Sequence, residues 1–111
     1  MLRSPRIMEI TDDNVDELAV RSPLPVLIDF WGAGCAPCRA TAPHVDALAD
    51  LYDGRVRVGQ CDVDGNHEVV ARFDVRAMPT FLMLRDGRVV GQIVGAVPRA
   101  KLDELVRKAL A

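Results

Sequence analysis

Residues 26–38 read VLIDFWGAGCAPC, an apolar run of strand length that leads directly into two cysteines. The run from Val26 to Trp31 is apolar on both faces except at Asp29, which is typical of a central strand covered by helices on each side. From Pro37 to Tyr52 apolar residues recur at helical spacing, and Gly54 follows as a stop. The sequence therefore predicts a strand, a short loop and a helix that begins at the cysteine pair.

The rest of the chain continues this alternation of strands and helices. Asp86-Gly87 favours a tight hairpin turn, so the last two strands should be antiparallel. Helical crossovers between the first three strands require parallel, right-handed connections. We expect an α/β fold in which a central mixed five-stranded sheet is flanked by four helices, with strands at Ile7–Ile10, Val26–Trp31, Val56–Asp62, Thr80–Leu84 and Val89–Val94, and helices at Thr11–Val20, Pro37–Tyr52, Asn66–Phe73 and from Pro98 onward.

Length and charge limit the function classes. The 111 residues fit one domain, which we expect at residues 7–111 behind a frayed tail at residues 1–6. The net charge of -2 is spread without a block of like charge, so we expect neither nucleic acid nor a membrane as a partner. The N-terminus lacks the apolar region of a secretory signal. The sequence therefore predicts a cytoplasmic protein, which we expect to be monomeric.

The two cysteines of Cys35-Ala36-Pro37-Cys38 have the spacing and the context of a redox pair, because they follow a buried strand and open a helix. The unpaired N–H groups and the dipole of a helix N-terminus stabilise a thiolate, so Cys35 is the expected nucleophile. Cys38 lies one turn further in and is the expected resolving thiol. Pro37 fixes the backbone of the first turn, where its missing N–H costs nothing.

A structural zinc site is the main alternative interpretation of this cysteine pair. It requires two further ligands, and the sequence offers only Cys61, His44 and His67, without a second C-x-x-C pair. Cys61 lies within a predicted strand and is expected to be an inert core residue. Both histidines are expected on the solvated surface. We therefore expect no metal.

Several separated motifs together resemble the thioredoxin family over nearly the whole chain. They are residues 30–38 (FWGAGCAPC), Pro43, Met78-Pro79-Thr80, Gly87 and Gly95. The resemblance implies a thioredoxin fold, a reversible Cys35–Cys38 disulfide and reduction of disulfides in client proteins. It also implies that Pro79 is cis and that the backbone at Met78 pairs with a client strand. The client groove would then consist of Trp31, Gly34, Ala36, Pro37, Met78, Pro79 and Gly95.

The resemblance also implies how the oxidised protein is reduced again. A thioredoxin reductase would return electrons to the oxidised pair, with FAD and NADPH carried by that partner, and the chain itself would bind no cofactor. Asp29 is then the expected proton relay for Cys38, because burial disfavours the ionised form of an acid and lets it exchange protons near neutral pH.

Three positions depart from the usual pattern of the family. Gly34 stands where an aromatic residue is common, Ala36 stands where glycine is common, and Gln60 occupies the offset of a lysine. Two other functions remain open on the sequence. A thioredoxin-like oxidase or isomerase would differ in reduction potential, and a binding module that uses the groove at Pro79 would not need Cys35.

Overall fold

The structure, a computed structural model, describes residues 4–111 of the chain. The described elements are the strands β1 (Ile7–Glu9), β2 (Val26–Trp31), β3 (Arg57–Asp62), β4 (Thr80–Arg85) and β5 (Arg88–Val94), a π-helical segment (Asp16–Val20), and the helices α1 (Ala36–Leu51), α2 (His67–Arg72) and α3 (Arg99–Leu110). β3 is parallel to β1 and β2, whereas β4 is antiparallel to β2 and β5. The strand order is β1-β3-β2-β4-β5, so β2 is central. The expected α/β fold, a mixed five-stranded sheet flanked by four helical segments, is confirmed.

Alternate side chains of the central strands pack into two apolar layers, one on each face of the sheet. Leu27 of β2 packs in the layer that contains Val45 of α1 and Val106 of α3. Ile28 packs on the opposite face, in the layer that contains Val69 of α2. The first five residues of β2 are buried, as a strand covered on both faces requires. The sheet thus has α1 and α3 on one side and the π-helical segment and α2 on the other.

The first helix is shorter than predicted, and this part of the prediction was wrong. The backbone turns at residues 12–14, and the helix that follows has π geometry, in which Arg21 N–H donates to the Asp16 carbonyl five residues earlier at 2.8 Å. Thr11, the first residue of the expected helix, accepts from Val15 N–H through its carbonyl at 3.0 Å.

Asp12, at the start of this segment, forms hydrogen bonds with α2 instead of continuing the helix. We call the contacts of Asp12 with Asn66 and Val69 the α2 clasp: Asp12 Oδ1 accepts from Val69 N–H at 2.9 Å, and Asp12 N–H donates to Asn66 Oδ1 at 3.0 Å. Asn66 Nδ2 donates in turn to the Asp62 carbonyl at 2.9 Å. Because the Asp12 carboxylate bonds the first turn of α2, it is not available to cap the segment in which it lies.

The hairpin between β4 and β5 is confirmed at Asp86-Gly87. Both residues have a positive φ, 54° and 76°, as a two-residue turn of type I′ requires. A side chain at Gly87 is excluded as well, since a Cβ there would lie 2.9 Å from the Val20 carbonyl oxygen.

The N-terminal segment contacts α1. Ser4 N–H donates to Asp46 Oδ1 at 3.2 Å, and Arg6 pairs with Asp50 at 3.3 Å and with Asp53 at 3.2 Å. Residues 1–3 of the expected tail lie outside the described residues, and the boundary at residue 7 stays a prediction. Within residues 4–111, no helix has the length and apolar character needed to cross a bilayer.

Candidate active site

The cysteine pair lies between β2 and the first turn of α1, at the carboxyl end of the central strand. Cys35 is the N-cap residue of α1, and Cys38 lies in the first turn. The two are joined by a disulfide with a Cα–Cα distance of 5.3 Å. Cys38 N–H donates to Cys35 Sγ at 3.2 Å, so one of the otherwise unpaired amides of the helix start points at this sulfur. The same amide is placed to stabilise a thiolate when the pair is reduced.

The two sulfurs differ in their access to solvent. Cys35 is partly exposed, whereas Cys38 is only 6% exposed. Ala36 and Pro37 between them are exposed, with Pro37 in the first helical turn. A client disulfide can therefore approach the pair from the side of Cys35.

The loop before β4 meets the cysteine loop at the same edge of the sheet. Phe30 of β2 pairs with Thr80 of β4, so Pro79 lies across from the residues that lead to Cys35. The Met78–Pro79 bond is cis, as the resemblance implied, and Met78 is 40% exposed. Gly95 N–H donates to the Pro79 carbonyl at 2.8 Å.

The comparisons with known proteins agree with this geometry. The model of the Thioredoxin family matches residues 6–108. The chain belongs to the thioredoxin family. It is 36% identical over 102 residues to Thioredoxin 1 of Nostoc sp., an alignment that covers 92% of this chain and 95% of the relative. It is 40% identical over 103 residues to Thioredoxin C-2 of Corynebacterium nephridii, covering 93% and 95%.

Thioredoxins are protein-disulfide oxidoreductases, and this chain carries the redox pair of the family at C-x-x-C spacing. The protein is therefore a dithiol-disulfide oxidoreductase that reduces disulfides in client proteins and is itself reduced again by a reductase. The centre that does this is Cys35-Ala36-Pro37-Cys38.

Gly34 shows what one departure from the usual thioredoxin sequence does. Its φ is +77°, and a Cβ placed there would meet no heavy atom within 4 Å. Glycine adopts this left-handed backbone without steric cost, whereas an L side chain is strained there. The residue thus shapes the loop that delivers Cys35 to the start of α1, a property that the sequence motif did not reveal.

A cleft of about 290 Å³ opens beside the disulfide. Cys38 lies on its wall, as do Trp31, the last residue of β2, and Gln60 of β3. Arg39 also lines the cleft; sequence reasoning did not single it out, although its position directly after Cys38 was a signal. The remaining wall consists of small residues: Gly32, Ala33, Gly34 and Ala42.

Asp29 is buried in the middle of β2, with an exposure of 1%. It pairs in register with Gln60 of β3 on one side and Phe81 of β4 on the other. Since side chains alternate along a strand, Asp29 lies on the same face as Leu27, which is the face that α1 covers. Asp29 and Cys38 therefore belong to the same layer of the protein.

The other candidates for chemistry lie away from the redox pair. Cys61 is fully buried, and desolvation together with the nearby Asp12 raises the pKa of its thiol to about 12, which favours the neutral thiol over the reactive thiolate. His67 is exposed, as expected, but His44 on α1 is partly buried. Among the described residues, no cluster of three or more His, Cys, Asp or Glu side chains could hold a metal ion.

Proposed function

We propose that Cys35 is the attacking thiol of this oxidoreductase and Cys38 the resolving thiol. The observation that carries the proposal is the difference in exposure at one helix start: Cys35 is partly exposed and caps α1, whereas Cys38 is 6% exposed. An accessible sulfur at a helix N-terminus has the microenvironment of a reactive thiolate.

The chemistry is two successive thiol-disulfide exchanges. The Cys35 thiolate attacks one sulfur of the client disulfide, which breaks the client S–S bond and releases one client thiolate. Cys38 then loses its proton and attacks Cys35 Sγ, forming the Cys35–Cys38 disulfide and releasing the second client thiolate. Two electrons pass from the dithiol to the client, and both client thiolates end as thiols.

We propose Asp29 as the group that takes the proton of Cys38. Its support is the shared layer between the sheet and α1, together with the burial of both groups, since Asp29 is 1% exposed and Cys38 is 6% exposed. A proton acceptor at the resolving thiol accelerates the second exchange, because only a thiolate attacks a disulfide.

The client binds, in this proposal, over the surface between the cysteine loop and the loop before β4. Gly34, Ala36, Pro37 and Met78 are exposed there, and a Cβ at Gly32 would lie 3.5 Å from Met78 Cε. An extended client segment would add to the backbone at Met78 as a short strand. The proposed client groove comprises Trp31, Gly34, Ala36, Pro37, Met78, Pro79 and Gly95.

The proposed partner that reduces the Cys35–Cys38 disulfide is a thioredoxin reductase that carries FAD and takes its electrons from NADPH. This chain would bind no cofactor of its own. We propose that the protein acts as a monomer in the cytoplasm, and that neither nucleic acid nor a membrane is a partner. The balanced charge and the membership of the thioredoxin family support this assignment.

Reduction of insulin disulfides in the presence of NADPH and thioredoxin reductase tests the direction of the reaction. We expect NADPH to be consumed by the wild type and by Cys61→Ala, and not by Cys35→Ser. Limiting iodoacetamide at neutral pH, followed by mass spectrometry, should label Cys35 before Cys38. Insulin reduction by Cys35→Ser, or first labelling of Cys38, would overturn the assignment of the nucleophile.

A further inference from the structure

Gln60 occupies a position that the redox chemistry leaves unexplained. It is the register partner of Asp29 on the adjacent parallel strand, and it lies on the wall of the cleft that also contains Cys38. Neighbouring strands lie about 4.8 Å apart, so two side chains that share a register and a face are within reach of each other. Gln60 is thus the nearest polar neighbour of Asp29 on β3.

The orientation of the Gln60 amide is fixed by Glu9. Gln60 Nε2 donates to Glu9 Oε2 at 2.9 Å, and an ionised carboxylate can only accept, so this end of the amide must be the nitrogen. The oxygen Oε1 then points the other way. It is sealed from solvent and accepts no hydrogen bond from any residue between 4 and 111.

Gln60 Oε1 is a buried hydrogen-bond acceptor that needs a donor in the protein. An amide oxygen that loses its hydrogen bonds to water on folding costs free energy unless a donor in the protein replaces them. A carboxylic acid is such a donor when it is protonated, because its O–H group can donate one bond. Asp29 is the adjacent residue that can change its state in this way.

We propose that Gln60 is a positioning residue for the proton relay: Gln60 Oε1 accepts a hydrogen bond from the protonated carboxyl group of Asp29, and Glu9 holds the Gln60 amide in the orientation that makes this possible. The inference rests on the proposed relay role of Asp29. It deepens that role by naming what holds the proton after transfer.

The proton balance of the relay is simple. In the mixed disulfide the Asp29 carboxylate takes the proton of the Cys38 thiol, and the Cys38 thiolate attacks Cys35 Sγ. The new O–H bond of Asp29 donates to Gln60 Oε1 until the proton passes to solvent. Because the bond is made only to the neutral acid, it raises the proton affinity of Asp29 towards that of a thiol, which favours transfer.

Charged side chains also lie on the elements around this layer. Glu9 on β1 bonds Gln60, Asp62 on β3 is the register partner of Trp31, and Arg39 on α1 lines the cleft. Cys38 on α1 titrates only when the disulfide is open. The side chains that β4 and α3 add to this layer are apolar: Phe81, Met83, Leu102 and Val106.

Titration of the Asp29 side-chain carbon by NMR in the oxidised protein tests the proposal, because neither Cys35 nor Cys38 titrates in that form. Spectra of Asp29→Asn assign the signal. Gln60→Met keeps the length of the side chain but removes the acceptor, and we expect the midpoint to fall by about one pH unit, the effect of one hydrogen bond to the neutral acid. Gln92→Met, at an exposed glutamine of β5, is the matched control and should leave the midpoint unchanged.

Glu9→Asp is a second variant, which alters only an exposed side chain and so keeps the test open if Gln60→Met does not fold. It keeps the negative charge, but the shorter side chain no longer reaches Gln60 Nε2, so the amide is free to turn and the midpoint should again fall. An unchanged or raised midpoint in Gln60→Met, or an unchanged one in Glu9→Asp, overturns the proposal. No client is present in this experiment, so failure of the relay itself is detected separately, as unchanged resolution kinetics in Asp29→Asn.

Discussion

Gly34→Ala isolates the contribution of backbone conformation to the active-site loop. Gly34 has a φ of +77°, and no heavy atom lies within 4 Å of the position that a Cβ would occupy, so a methyl group there adds backbone strain without a steric clash. The left-handed conformation costs an L-residue about 1–2 kcal/mol. The lower entropy of the unfolded alanine variant offsets about 0.4–1 kcal/mol of this cost. We therefore expect a net loss of about 0.5–1 kcal/mol in the free energy of unfolding.

Two other glycines provide matched controls. Gly65 also has open space around it, but its φ lies outside the left-handed region, so Gly65→Ala should stabilise the protein by about 0.4–1 kcal/mol. Gly54 has a φ of +86° and the same open surroundings, but it follows the far end of α1 from Cys35. Gly54→Ala should therefore lose as much stability as Gly34→Ala without a change in the rate of disulfide exchange.

Urea unfolding of the three oxidised variants, combined with stopped-flow reduction of insulin by the three reduced ones, measures both effects. We expect only Gly34→Ala to exchange more slowly, because only that loop delivers Cys35 to the helix start. If Gly34→Ala is as stable as Gly65→Ala, the backbone at residue 34 is not strained by an L side chain. If Gly54→Ala loses exchange rate to the same extent as Gly34→Ala, the loop before Cys35 has no special role in the exchange.

Two further predictions concern the exchange steps. Cys38→Ser removes the resolving thiol, so it should accumulate mixed disulfides with clients through Cys35, visible on non-reducing gels; turnover at the wild-type rate would contradict the two-cysteine mechanism. Asp29→Asn should slow resolution of the mixed disulfide about 100-fold in single-turnover experiments, since the proton acceptor is lost. The same variant should stabilise the fold at pH 7 by on the order of 1 kcal/mol, because a buried neutral amide avoids the cost of burying a carboxylate. This gain should shrink at acid pH, where the Asp29 carboxyl of the wild type is neutral too. A destabilised Asp29→Asn protein with unchanged kinetics would reduce Asp29 to a structural role.

The elements that local patterns determine were predictable from the sequence. The run from Val26 to Trp31 is apolar on both faces, and β2 is the central strand. Asp86-Gly87 has the residue types of a tight turn, and the hairpin forms there. The position of the cysteine pair between a buried strand and a helix was equally predictable, because periodicity locates both elements within a few residues.

Features that depend on distant partners were not predictable in the same way. The helix expected from Thr11 is shortened because Asp12 bonds Val69, which lies 57 positions away in the chain. The link between Glu9 and Gln60 spans 51 positions, so nothing in the local sequence of either residue signals it. Local propensity ranks the conformations of a segment, but tertiary contacts select among them.

The α2 clasp has a consequence for how the protein opens locally. α2 has only 6 residues, too few to be stable alone, and its first turn is held by a side chain from the segment after β1. Breaking that contact exposes amides of both segments at once, so this face of the sheet should exchange its hydrogens as one cooperative unit. The opposite face, where α1 carries the redox pair, can stay folded during this local opening. Local unfolding around α2 should therefore leave the geometry of the disulfide centre intact.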